Sequence, residues 1–274
     1  MRNENEDRLT MSARINVIAA DPVVAATLAD KLELPHFIAT TLAARGITTL
    51  EEAERFLHPS LERDWVEPYD LEEMDAAVDR IVRAVRDGER ILVFGDFDLD
   101  GVSATTLMTR GLRACGGNVT PFIPLRFEEG YGLTEAAIDR FMADEPSLVV
   151  TVDNGIAAKN EVELLRSRGI DVVITDHHEL ADLVPEGVPV VDPKRSDNPS
   201  SILAGAGVAL KVVQAVGARF GQPNLWRSLI DLATLGTVAD LMPMRDQNRA
   251  LVAEGVRMIN DDTRPCIAAL LGES

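Results

Sequence analysis

The chain has 274 residues, 27 basic and 45 acidic, for a net charge of −18; 46% are apolar and 26% charged. That is a globular composition, long enough for one or two domains with a substantial core. Its two cysteines, Cys115 and Cys266, exclude a disulfide framework or a cysteine-ligated zinc site, its acidity argues against a simple basic nucleic-acid module, and no apolar run reaches the ~18 residues of a membrane span.

The polar, acidic start MRNENEDRLT is unlike a secretory or mitochondrial signal, so a reducing cytoplasm is expected. Residues 1–13 read as a disordered tail. Residues 14–70 read as an N-terminal helical region and connector, with helices over 23–32, 36–47 and 49–57. Thr49 and Glu52 make a capping box for the third. His36 and His58 lie in this region as structural or surface residues. A helix over 71–87 ends near Gly88.

From residue 91 a regular alternation begins. Strands are expected at 91–95, 118–123, 148–152, 171–175 and 188–192. Helices are expected at 102–114, 134–142 (with Thr134 as N-cap) and 158–168. Short apolar strands alternating with helices imply parallel βαβ units. The remainder reads as helices over 203–219, 224–236, 246–259 and 263–271. The fold class is therefore α/β: a parallel β-sheet flanked by helices, a short helical N-terminal region and a helical C-terminal segment.

Charge is uneven along the chain. Residues 1–90 carry net −8, residues 91–200 net −10, and residues 201–274 net zero. A solvated acidic face accounts for most of this. In the middle segment, however, aspartates sit at the ends of apolar runs. ILVFG runs into Asp96, Asp98 and Asp100. LVVTV runs into Asp153. DVVIT runs into Asp176, His177 and His178. Asp and Asn follow strands simply to make turns. Three consecutive strands ending this way, two histidines included, instead suggest one site at the carboxyl edge of the sheet, where ligands bind.

Carboxylates ~4 Å apart repel by roughly 4 kcal/mol at an effective dielectric of ~20. No Lys or Arg lies inside GDFDLDG, VDNGI or TDHHE, so divalent cations are the expected counter-ions. Carboxylate with imidazole suits manganese, zinc or iron, and carboxylate with water suits magnesium or manganese, which puts manganese first. DFDLDG also opens like a calcium-binding EF-hand loop, but Leu107 stands where that loop needs Glu. No Walker loop is present. GAGVAL (205–210) lacks the third glycine of a dinucleotide fingerprint. Gly205 and Gly207 fit either a helix N-terminus approaching a phosphate or close helix packing. Asp240, in LGTVADLMPM, reads alone as a turn residue.

GDFDLDG, VDNGI, TDHHE and LGTVADLMP, in that order, resemble the four motifs of the DHH phosphoesterase superfamily, over most of the chain. RFEEGYGL (126–133), LAGAGVALKV (203–212) and LAARGITTLEEAERFLHPSL (42–61) resemble its RecJ-like branch of single-stranded-DNA-specific exonucleases. The resemblance implies that 71–274 is a catalytic domain with two manganese ions, magnesium being possible. Asp96 and Asp98 would hold one ion. Asp100, His177 and Asp240 would hold the other, with Asp153 bridging. It further implies that His178 contacts the scissile phosphate or assists the leaving oxygen, and that Asp176 orients the histidine pair. It implies as well a phosphate contact at Arg126 and a role for Asn154 in fixing the second-motif turn.

The implied activity is 5′→3′ hydrolysis of single-stranded DNA in repair and recombination. Other branches act on oligoribonucleotides, 3′-phosphoadenosine 5′-phosphate or cyclic dinucleotides, and some relatives are inactive scaffolds. RecJ-like chains carry a further C-terminal substrate-binding domain, whose motif is absent from these 274 residues. The expectation is a truncated form or a separately encoded partner half, alongside single-stranded nucleic acid and replication or repair proteins, and no membrane.

Overall fold

The structure, a computed structural model, describes residues 18–180 and 183–272; the tail expected over 1–13 lies outside them. The chain divides at His58–Pro59 into two packing units. The first holds α1 (Pro22–Lys31), α2 (His36–Ala44) and α3 (Leu50–Leu57) around a small core of Leu28, Ala39, Leu42 and Ala53. Asp21 caps α1 by accepting from the Val23 and Val24 amides, and the Thr49–Glu52 capping box opens α3. His36 and His58 are exposed.

The second unit starts before residue 71. Leu61, in the short helix α4 (Leu61–Asp64), shares the larger core with Leu71 and Met74, so residues 59–70 pack with this unit. Trp65 stacks on Trp226 with ring centroids 5.6 Å apart, and the buried Lys211 ammonium lies 3.9 Å above the Trp65 ring. Helix α5 (Met74–Asp87) follows and ends at Gly88, whose φ of 69° is the left-handed turn that glycine accepts without strain.

Next come β1 (Arg90–Phe94), α6 (Leu99–Ala114), β2 (Asn118–Phe122), α7 (Glu135–Phe141), β3 (Leu148–Val152), α8 (Lys159–Ser167), β4 (Asp171–Thr175) and β5 (Val190–Val191). The Thr134 hydroxyl caps α7 by accepting from the Ala137 amide. The five strands form one parallel sheet in the order β2-β1-β3-β4-β5. Strand residues alternate between two cores. Ile91, Val93, Val150 and Val152 join one, and Leu92, Phe94 and Val149 join the other. Burial on both faces explains the continuous apolar runs.

Helices α9 (Gly205–Arg219), α10 (Ile230–Ala239), α11 (Asp246–Asp261) and α12 (Pro265–Gly272) complete the unit. Helix α2 ends at Ala44 rather than at 47, and α5 begins at Met74 rather than at 71. Three further elements differ from expectation. Helix α6 begins at Leu99 rather than Val102, because Asp98 caps it. The edge strand β5 keeps only two residues, between Pro189 and Asp192. The helix expected over 224–236 is a 3-10 turn, Leu225–Leu229, followed by α10, which runs on to Ala239. No helix among the described residues is long and apolar enough to cross a membrane. Strand β1 passes first to β2 on one side and then to β3 on the other, so a crevice opens between the carboxyl ends of β1 and β3.

Candidate metal centre

Asp96 leaves β1 buried, and Asp98, exposed, caps α6 by accepting from the Gly101 amide at 2.9 Å. Asp100, in the first turn of α6, is buried. Its two oxygens accept from the Gly205 and Ala206 amides of the α9 N-terminus at 2.7 and 3.0 Å. The positive end of α9 therefore faces a carboxylate of its own chain.

That corrects one reading of the glycine segment. The Gly205 amide is taken up by Asp100, and a Cβ there would lie 2.5 Å from the Asp153 Cβ. One at Gly207 would lie 3.2 Å from Leu203 Cβ. Of the two readings, close packing is the one the geometry supports. Gly236 has the same role from α10, since a Cβ there would meet Asp100 Oδ1 at 2.2 Å. Gly236→Ala is expected to displace Asp100 and weaken divalent-ion binding by about tenfold or more, checked by calorimetry, while the helical circular dichroism is kept.

Asp153 sits where β3 ends, with φ 60°. A left-handed non-glycine residue stores strain of about 1 kcal/mol or more and is kept where the surroundings hold it. The turn behind it is fixed by Asn154, whose Nδ2 donates to the Val152 carbonyl at 2.9 Å and whose backbone bridges to Thr175. From β4, His177 Nε2 reaches Asp153 Oδ1 at 3.0 Å and both Asp100 Oδ2 and Asp240 Oδ2 at 3.7 Å. Asp240 enters from the C-terminal end of α10, about 60 residues after the other motifs. Asp176 Oδ2 accepts from the Ile156 amide, and its Oδ1 accepts from the His177 amide and holds His178 Nδ1 at 2.7 Å.

The electrostatics are those of a crowded anionic cluster. Burial, then the charges of Asp98 and Asp176, push Asp153 up to about 8. Burial and Asp153 push Asp100 up to about 7. Asp96 is also raised, chiefly by burial. Asp176 behaves oppositely. Burial would raise it, but the bond to His178 and two backbone amides hold it below the usual range. The same bond lifts His178 to about 9, so His178 is a cation at neutral pH.

Two buried atoms at the centre, Asp153 Oδ1 and His177 Nδ1, have no hydrogen-bond partner; Asp153 Oδ1 lies near His177 Nε2 without an aligned donor. Among the described residues no lysine or arginine pairs with Asp96, Asp98, Asp100, Asp153 or Asp240. Donor atoms fall into three groups, each within 4.8 Å: Asp96, Asp98 and Asp153; Asp100, His177 and Asp240; Asp153, His177 and His178. Carboxylate oxygens with one or two imidazoles, crowded and lacking cations, fit divalent metal ions.

Two neighbours stand at the rim. Tyr131 Oη lies 3.4 Å from His178 Nε2, and its ring meets Phe97 edge-on at 6.0 Å. Arg126, exposed, stacks its guanidinium over Phe97 at 4.9 Å. Sequence reasoning singled out Arg126 and passed over Tyr131, although both lie in RFEEGYGL. Burial and the surrounding aspartates keep Tyr131 a neutral phenol.

A parallel sheet whose β1, β3 and β4 carboxyl ends converge on such a donor cluster defines an α/β protein of metal-centre type. The model of the DHH family, N-terminal domain, matches residues 90–237, and the chain belongs to the DHH family. It is 38% identical over 240 residues to the single-stranded-DNA-specific exonuclease RecJ of Bacillus subtilis, covering 87% of this chain and 30% of that protein. It is 38% identical over 254 residues to RecJ of Escherichia coli, covering 87% and 43%. Among solved structures, exonuclease RecJ bound to manganese aligns with TM-score 0.66 and 38% identity over 71% of this chain and 50% of that one. RecJ of Thermus thermophilus in complex with Mn2+ aligns with TM-score 0.72 and 33% identity over 88% and 34%. The chain thus spans less than half the length of these curated relatives.

Proposed function

We propose that the chain carries the catalytic machinery of a metal-dependent phosphodiesterase that removes nucleotides 5′→3′ from single-stranded DNA. The observation that carries this is the pair of donor groups, Asp96–Asp98–Asp153 and Asp100–His177–Asp240, joined through the Asp153–His177 contact at 3.0 Å. In this reading each group holds one ion, Asp153 lies between them, and manganese is the first choice with magnesium second. The Mn2+-bound relatives at 33–38% identity support that choice. Two such ions would polarise the phosphoryl group, activate water and stabilise the leaving oxygen.

The chain's own residues supply positioning and charge. Asp100, clamped by the α9 amides, is fixed before any ion arrives. His177 presents Nε2 to the carboxylates from a backbone pinned by Asp176. His178, protonated and with Nδ1 held by Asp176, would donate through Nε2, now 3.4 Å from Tyr131 Oη, to a phosphoryl oxygen as negative charge builds. Arg126, braced on Phe97, offers a second cation for the phosphate backbone. The described part of the Pro59–Ser274 unit is the catalytic body in this reading, and the three N-terminal helices form a separate module.

A turnover panel tests it: 5′-phosphorylated single-stranded DNA, duplex DNA, oligoribonucleotides, cyclic dinucleotides and 3′-phosphoadenosine 5′-phosphate, each with Mn2+. Release of mononucleotides from the single strand is expected. Cleavage of only the small substrates would overturn the exonuclease reading. His178→Gln is expected to lower kcat on single-stranded DNA by about a hundredfold while two ions still bind, since it removes charge from the phosphate contact and leaves both donor groups.

A further inference from the structure

At the amino end of β4, away from the metal centre, the surface opens into a cleft of about 330 Å³. Asp171 and Val172, the first residues of β4, line it together with Arg80 and Arg83 of α5, Arg166 of α8 and the Gly187–Pro189 approach to β5. From Asp171 to Thr175 the strand rises about 13 Å. The metal-site residues of β4 lie beyond its far end, so nothing in the metal chemistry uses this cleft. Helix α5 packs on one face of the sheet and α8 on the other, and the cleft lies at the edge between them.

On a chain of net charge −18, three guanidiniums here face two carboxylates. Both carboxylates are already engaged. Asp79 accepts from Arg219 at 2.8 Å, and Asp171 accepts from Arg80 Nε at 2.6 Å. Arg83, 61% exposed, reaches Asp171 only at 3.8 Å. Arg166, also exposed, makes a long bond of 3.3 Å to the Glu186 carbonyl. Arg80 is held between Glu89 and Asp171 with its side chain 10% exposed, yet its Nη1 is buried without an acceptor. A buried donor left unpaired carries a desolvation cost that a ligand oxygen would remove. The sheet edge adds a backbone donor. Strand β5 pairs with β4 only from Ile174 onward, where the Ile174 amide donates to the Pro189 carbonyl at 2.9 Å. Alternate residues of a parallel strand turn their N–H to opposite neighbours. The Val172 N–H therefore turns to the same edge and, among the described residues, meets no backbone acceptor there.

We propose that this cleft binds a phosphomonoester dianion, with Arg83 and Arg166 as its main cations and Arg80 Nη1 and the Val172 N–H as further donors. The site is separate from the metal centre and does not depend on the exonuclease reading. Donors arriving from α5, α8 and the sheet edge suit a tetrahedral anion, which accepts on several sides, better than a planar carboxylate, which one guanidinium fork satisfies. Inorganic phosphate and the 5′-phosphate of a nucleoside monophosphate present the same group. The cleft, at the lower end of small-ligand pockets of roughly 300–1,000 Å³, has room for either. Bound there, the anion ties α5 to α8 across the edge that the two-residue β5 leaves open.

Calorimetry on the metal-free full chain, at constant ionic strength in chloride, tests this without relying on turnover. The probes are inorganic phosphate and deoxyadenosine 5′-monophosphate, and one anion is expected to bind per chain. The double variant Arg83→Gln with Arg166→Gln, at two exposed positions, is expected to weaken binding about tenfold or more while keeping the Mn2+ stoichiometry and strand turnover. His178→Gln, at the metal centre, is expected to leave the anion affinity unchanged. Equal affinities for the two probes would support a site that reads the phosphate alone. Tighter binding of the nucleotide would support the same site with the base and sugar filling the rest of the cleft. No binding of either probe, or undiminished binding in the double variant, would overturn the proposal, and loss in His178→Gln alone would place the anion at the metal centre instead. If the double variant fails to fold, each single substitution is read for the same loss.

Discussion

Asp153→Asn is expected to lower hydrolysis of single-stranded DNA by about a thousandfold or more and to reduce bound Mn2+ from two ions per chain to one or fewer. Asp153 contributes to two of the three donor groups and touches His177 Nε2 at 3.0 Å, so these two side chains together link the cluster. Asparagine is the informative replacement. It keeps the shape of the side chain, and it tolerates the left-handed conformation that φ 60° demands. Alanine at the same position would add backbone strain of about 1 kcal/mol and confuse a lost ligand with a loosened turn. The fold should survive, because β3 is held by β1 and β4 along its length. Metal analysis, turnover and circular dichroism together check it. Retained turnover with two ions bound would exclude the bridging role.

Much of this site was legible because a parallel sheet writes its active edge into the chain as apolar runs ending in polar residues. Asp96, Asp98, Asp100, Asp153, Asp176, His177 and His178 all follow such runs. Asp240 follows a helix, where a terminal aspartate is ordinary, so periodicity alone left it a turn residue. Its place opposite His177 depends on how α10 packs on α6 and α9, a long-range fact. The α9 amides could equally have faced a phosphate. What decides the matter is the 2.7 Å bond from Gly205 to Asp100, a partner 105 residues away. The left-handed backbone of Asp153 and the contact of Tyr131 with His178 left no mark in composition or spacing.

Net charge argues against a simple basic nucleic-acid module. It does not exclude a nucleic-acid substrate. In the proposed site five of the acids are turned inward on metal ions, and His178 and Arg126 supply local positive charge. Bound cations are the largest local charges in such a site and reverse its sign. The remaining acidity disfavours broad, salt-driven contact with duplex DNA, so affinity should come from the groove and from one strand.

The metal-free protein is expected to lose stability as pH rises from about 5 to 7.5, and Mn2+ should restore more of it at the upper end. The sign follows from the folded-state shifts. Asp153, at about 8, Asp100, at about 7, and Asp192, raised to about 6 mainly by burial, all lie above the ordinary carboxylate value. In the unfolded chain each returns to about 4. The folded state therefore holds protons that the unfolded state releases. The resulting stability is complete below about pH 4 and is lost as pH climbs through the folded values, on the order of 5 kcal/mol for Asp153 alone.

His178, raised to about 9, has the same sign, with its contribution intact below about pH 6.5. Lys211, lowered to about 7 by burial, opposes them only above pH 7, where it sheds its proton in the folded state and relieves its own cost. The window from pH 5 to 7 thus reports the carboxylates and the window above it the balance. Because Asp153 and Asp100 must lose their protons to bind a cation, Mn2+ binding near pH 7 should release about one proton or more. Calorimetry in two buffers of different ionisation enthalpy measures that release, and thermal melts at pH 5 and 7.5 measure the slope. Asp153→Asn should flatten the melts and reduce the proton release. Equal melting temperatures in the metal-free wild type, with no protons released on Mn2+ binding, would mean that the buried carboxylates are already ionised and that the cluster is not held together by shared protons before metal arrives.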